Sequence, residues 1–79
     1  MPEPSAEILR AYLLVPAQFQ ILADLTENPD GLRFEALQHG ISEEQIVELV
    51  SRHLIRLEGE HYHVTSIGHG MIKAVSGLS

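Results

Sequence analysis

The chain has 79 residues, enough for one domain at most and close to the size below which a core struggles to support itself. Hydrophobic residues make up 44% of it, which argues against wholesale disorder, and with two Phe, two Tyr and no Trp the core must be mostly Leu, Ile, Val and Ala. Eleven acidic against five basic residues leave a net charge of −6, opposite to the basic excess of most nucleic-acid binders, and the lack of cysteine excludes disulfides, thiolate zinc and a Cys nucleophile.

Residues 1–4 hold Pro2 and Pro4 and read as an extended, mobile arm. The acidic start lacks the cationic n-region of a secretory signal, and no apolar run approaches the ~18–20 residues of a membrane span, so a soluble cytoplasmic protein is expected. The folded domain is expected over residues 5–75, with a fraying tail at 76–79. Ser5 suits an N-cap for a first helix whose apolar stripe is Ile8, Leu9, Tyr12 and Leu13. Pro16 ends that helix and suits the first turn of a second, residues 16–27, which buries Phe19, Ile21, Leu22, Ala23 and Leu25. Asn28-Pro29-Asp30-Gly31 is a turn, with proline presetting one dihedral and glycine accepting positive φ.

Leu32 begins a short extended step before a third helix over residues 34–39, anchored in the core by Phe34 and Leu37. Gly40 reads as its C-terminal stop, and Ile41 anchors the following turn. Ser42-Glu43-Glu44-Gln45 fits a capping box opening a fourth helix, which turns Ile46, Leu49 and Val50 inward and stops near Arg52. Extended segments at 55–58 and 61–64 flank Gly59-Glu60, a two-residue loop with glycine first, as a type II′ hairpin requires. In that register Leu57 opposes Tyr62 and Ile55 opposes Val64 on one face, leaving Arg56, Glu58, His61 and His63 on the solvated one. Thr65 caps a last helix to about residue 75, with Ile67, Met71 and Val75 as its stripe.

The order helix, helix, turn, helix, hairpin, helix resembles a winged helix-turn-helix, a mainly α fold (α+β) of about five helices with a two-stranded wing. Leu49-Val-Ser-Arg-His-Leu54-Ile55 resembles the "L-x-x-x-G-L-I" passage from recognition helix into wing, and Tyr62-His-Val-Thr65-Ser-Ile-Gly68 resembles the "Y-x-L-T-x-x-G" that closes the wing in MarR-, ArsR- and PadR-like regulators. Asn28-Pro29-Asp30-Gly31-Leu32, ahead of Phe34 and Leu37, is similar to the step into their helix-turn-helix. The resemblance implies that Thr65 caps the helix after the wing and that Gly68 lets that helix pack closely. It also implies that His53, standing where the family prefers glycine, takes a left-handed backbone.

A family of regulators implies DNA as partner, read by the N-terminal part of the recognition helix. Here that face is Ser42, Glu43, Glu44, Gln45, Val47, Glu48, Ser51 and Arg52, with Arg33 beside it and Arg56, His61 and His63 on the wing. Glutamates in a first turn complement the helix dipole, worth roughly 0.3–1 kcal/mol each, and this is their preferred reading. They also oppose phosphate, leaving Arg33, Arg52, Arg56 and Lys73 for backbone contacts. Two functions therefore stand: a small dimeric transcriptional regulator with weak, salt-sensitive DNA binding, or an acidic winged-helix module that meets a basic protein surface and leaves DNA alone. Protonation of the histidines below ~6.5 would make the wing cationic and raise any DNA affinity.

His61, His63 and His69 lack the residue pattern of a full metal site, so an exposed polar strand face is preferred to a ligand set, and no cofactor is implied. No serine has an activating neighbour, no glycine-rich loop cradles a phosphate, and Glu43 and Glu44 diverge on their helix, so no enzyme is expected. A homodimer is expected through Ile8, Leu9, Tyr12 and Leu13 of the first helix and Met71, Ile72 and Val75 of the last.

Overall fold

The computed structural model describes residues 5–37 and 42–77; the expectations for residues 1–4, His39, Gly40, Ile41 and residues 78–79 fall outside them. Helix α1 (Ala6–Ala11) opens as its sequence requires, the Ser5 hydroxyl accepting the Ile8 amide at 3.3 Å. Its end departs from expectation. Leu13 does not continue the apolar stripe but sits past the helix at φ 60, 74% exposed, while Leu14 turns into the core. The reason is a closed C-terminal cap: the Leu14 amide reaches back to the Leu9 carbonyl at 2.9 Å and the Leu13 amide to Arg10 at 3.0 Å. That pattern needs a left-handed residue at position 13.

Helix α2 (Pro16–Glu27) starts on proline, and the Gln18 side chain folds back to accept the Val15 amide at 3.0 Å. It is the central element, burying Gln18, Phe19, Ile21, Leu22 and Leu25. Asn28 ends it by donating its side-chain amide to the Asp24 carbonyl at 2.7 Å, and the chain reverses through a turn closed by Gly31 N–H to Asn28 O at 2.8 Å. Gly31 takes φ 87, and a Cβ there would lie 2.7 Å from the His63 ring, so both conformation and space require glycine. Leu32 then bridges Tyr62 through reciprocal backbone bonds of 3.0 and 2.7 Å.

Where a third α-helix was expected, Phe34–Leu37 forms one 3-10 turn, leaving four α-helices among the described residues. The backbone explains this: Ala36 N–H bonds to Arg33 O at 2.9 Å, an i to i+3 closure that drops Leu37 into the core in a single turn. Phe34, expected inside, stays 37% exposed because it lies at the wing end of that turn, beside Leu57 and Tyr62, where little chain covers it.

Helix α3 (Glu43–Ser51) buries Ile46 and Leu49, and Gln45 closes its first turn by accepting the Ser42 amide at 3.3 Å. It ends as α1 does. His53 has φ 60, its amide bonds Val50 O at 2.9 Å, and the Leu54 amide bonds Leu49 O at 3.0 Å. The left-handed His53 expected from the resemblance is therefore present. Strands β1 (Ile55–Glu58) and β2 (His61–Val64) pair antiparallel with Ile55 opposite Val64 and Leu57 opposite Tyr62, the expected register. Gly59 alone of the two tip residues has positive φ, 61°, which suits the type II′ turn. The outward face is less solvated than expected: His63 keeps only 19% of its side chain exposed because the Gly31 turn lies over it.

Helix α4 (Ser66–Gly77) is capped by the Thr65 hydroxyl, which accepts the Gly68 amide at 3.1 Å and is itself 2.5 Å from His53 O. A Cβ on Gly68 would overlap Leu54 O and lie 2.9 Å from Val64 Cγ2, so the close packing implied by the resemblance is real. It also corrects the stripe of this helix. Ile72 and Val75 share the face of Gly68 at four- and seven-residue spacing and are buried, whereas Ile67, one step round the helix, is 58% exposed. The core joins α1, α2, α3, α4 and the base of the wing through Leu9, Phe19, Leu22, Leu49, Ile55 and Ile72.

Candidate nucleic-acid interface

The amphipathic pattern of α3 puts Ile46 and Leu49 inside, and so Ser42, Glu43, Glu44, Val47, Glu48 and Ser51 outside. Val47 is 58% exposed amid three glutamates that have no cation partner among the described residues. Polar groups that could read bases are partly spent: Ser51 donates its hydroxyl to Glu48 O at 2.8 Å, and half-buried Gln45 holds the Ser42 amide. What remains outward is acidic and apolar.

Arg52, expected among the phosphate contacts, is committed elsewhere. Its guanidinium donates to Leu13 O at 2.8 Å and Tyr12 O at 3.0 Å, clamping the end of α1 to the end of α3. A planar fork meeting two successive carbonyls is an arrangement only arginine supplies. The clamp occupies two of the guanidinium's five N–H donors and ties the head to the end of α1.

Arg33 lies 2.6 Å from Glu60 at the wing tip, both side chains well exposed. On the wing, Arg56 Nε stands 3.4 Å from Glu58, whose other oxygen is 3.8 Å from His63 Nε2. His61 is exposed at the tip, opposite Glu58. His61, His63 and His69 do not form a ligand set: no group of three or more His, Cys, Asp or Glu able to hold a metal occurs among the described residues. Each cation near the recognition face thus has an acidic or carbonyl partner, and Lys73 is exposed on α4.

Of the residues expected at a twofold interface, Leu9, Ile72 and Val75 lie in this chain's own core. Leu13 stands out in solvent, and Ile8, Tyr12 and Met71 are half-buried at the rim of the core. Sequence reasoning missed two side chains that position α3: Arg52 and Gln18, whose amide also reaches Gln45 O at 3.5 Å while only 2% exposed. The signal for Gln18 was present, a polar residue within the apolar run of α2; for Arg52 there was none.

Among solved structures, the chain is similar to a protein described as a MarR family transcriptional regulator from Silicibacter pomeroyi, with 22% identity and a TM-score of 0.73 over 89% of this chain. That likeness shows the winged-helix fold. The chain spans 55% of the length of that structure. No family model matches the sequence, and no curated protein matches it either. No helix among the described residues is long and apolar enough to cross a membrane.

Proposed function

We propose that the chain is a small, non-catalytic, cytoplasmic winged-helix regulator of the MarR-, ArsR- and PadR-like kind, which binds DNA weakly and salt-sensitively as a homodimer. The observation that carries this reading is the shared architecture: α3 and the wing belong to a winged-helix fold like that of a structure described as a transcriptional regulator, with Arg33 and Arg56 exposed. The acidic partners of those arginines do not forbid it. Exposed ion pairs are worth about 0–1 kcal/mol, so exchanging Glu60 or Glu58 for a DNA phosphate costs little. A dimer doubles the number of such contacts.

The outward face of α3 favours a second reading, an acidic module for a basic, partly apolar protein surface. Glu43, Glu44 and Glu48 around exposed Val47 oppose phosphate and suit such a partner. A gel-shift scan of genomic fragments at low salt separates the two. On the DNA reading, Arg33→Glu with Arg56→Glu abolishes the shifted band, and Glu44→Gln strengthens it. A chain that shifts no fragment, while Glu44→Lys creates a shift, belongs to the second reading.

A further inference from the structure

Behind the wing, the end of α2, strands β1 and β2 and helix α4 enclose a cleft of about 230 Å³, well above the ~10–15 Å³ that one water needs. We propose that this cleft binds a small oxyanion, a phosphate monoester or a carboxylate, on its wing side. Arg56 from β1, His63 from β2 and His69 from α4 converge on it, facing Asn28 and Pro29 of the turn. Guanidinium is a permanent multiple donor, and each imidazole carries at least one N–H, so the three residues can all donate to an anion. His63 is set in place by the Gly31 turn, which has no Cβ to push the ring aside.

Beside the cleft, and outside its lining, a carboxylate already samples two of these donors. Glu58 reaches Arg56 Nε at 3.4 Å and His63 Nε2 at 3.8 Å. Both distances exceed the ~2.7–2.9 Å of a tight charged hydrogen bond, and the Glu58 side chain is 57% exposed, so this loose pairing leaves Arg56 and His63 able to turn to an oxyanion in the cleft. The last carbonyls of α2 carry partial negative charge, which confines the ligand to the Arg56 and His63 side of the cleft. The site stands whether or not α3 reads DNA.

The test is an amide and imidazole NMR titration of the full chain at fixed ionic strength with phenyl phosphate, with acetate and with a short DNA duplex in separate arms. Saturable shifts centred on Arg56, His63, Val64 and His69 are expected with phenyl phosphate or acetate. Arg56→Gln, an exposed change that leaves the dispersed spectrum intact, should weaken binding about tenfold, as loss of a charged fork implies. Glu58→Gln should tighten it several-fold by removing the negative charge that pairs loosely with Arg56 and His63. Shifts from duplex that phenyl phosphate reverses identify a backbone phosphate as the natural source; shifts from the small anions alone identify a free ligand. Linear, unsaturating shifts, shifts centred elsewhere, or equal affinity in Arg56→Gln would overturn the proposal.

Discussion

Arg52 holds Leu13 by its backbone: the guanidinium meets the Leu13 carbonyl at 2.8 Å, and that of Tyr12 at 3.0 Å, across 39 and 40 residues of sequence. Both ends of this contact are helix terminations of one kind, α1 closing on left-handed Leu13 and α3 on left-handed His53, one residue past Arg52. The end of α3 therefore caps the end of α1, and the exposed face of α3 is oriented by a residue the DNA reading first assigned to phosphate. Replacing Arg52 with Met keeps the aliphatic stem and removes both charged donors. Urea unfolding should show a loss of about 1–3 kcal/mol, since hydrogen bonds to charged groups are worth more than neutral ones. Amide protection in α1 should fall most. Wild-type stability in Arg52→Met would mean the clamp is incidental.

The two left-handed residues carry strain that glycine would relieve. A non-glycine residue there costs roughly 1–2 kcal/mol, against about 0.5–1 kcal/mol of extra unfolded-state entropy for glycine. Neither Leu13 nor His53 is buried, so little packing is lost on substitution. His53→Gly and Leu13→Gly should each therefore raise stability by about 0.5–1 kcal/mol in thermal unfolding. Destabilisation by either change would place the side chain in a role that its exposure does not reveal.

Gly68→Ala should do the opposite. Its Cβ would overlap the Leu54 carbonyl, a backbone atom already engaged by the Thr65 amide at 3.0 Å, so α4 must shift away from the wing. Overpacking of this kind costs typically 1–3 kcal/mol. The melting temperature reads it, and Gly70→Ala, with nothing within 4 Å of its added carbon, is the control.

These residues also show what the sequence makes legible. Hairpin register follows from the period-two pattern and the glycine at the tip, and the caps at Ser5, Ser42 and Thr65 follow from chemistry confined to one helical turn. The left-handed His53 was reachable only through the resemblance, because His is not a residue that announces positive φ. Phe34 and Ile67 were misplaced for a common reason. Hydrophobicity alone marks a residue as able to be buried, while the 3-10 closure after Arg33 and the close approach at Gly68 decide which positions face inward. Arg52 was illegible as a clamp because its partners are main-chain atoms far away in sequence.

Dimerisation through α1 and α4 is tested at Leu13, the residue of the expected interface that lies fully outside the core. Leu9→Glu or Ile72→Glu would bury a charge and unfold the chain, whereas Leu13 is 74% exposed and can be changed without cost to the core. Sedimentation of Leu13→Glu should give a monomer that remains folded. A wild-type dimer whose mass is unchanged by this substitution is assembled through another surface.

The claim that this winged helix works at DNA is tested most directly by the salt dependence of its binding. Arg33, Arg56 and Lys73 are the cations open to phosphate once Arg52 is set aside, giving six contacts in a dimer and a log–log salt slope of about −5. Fluorescence anisotropy with a duplex carrying the tightest genomic fragment, from ~50 to 200 mM salt, should give saturable binding with that slope. Absence of binding at ~50 mM salt, where phosphate contacts are strongest, would contradict the DNA reading and leave the acidic face of α3 to a protein partner.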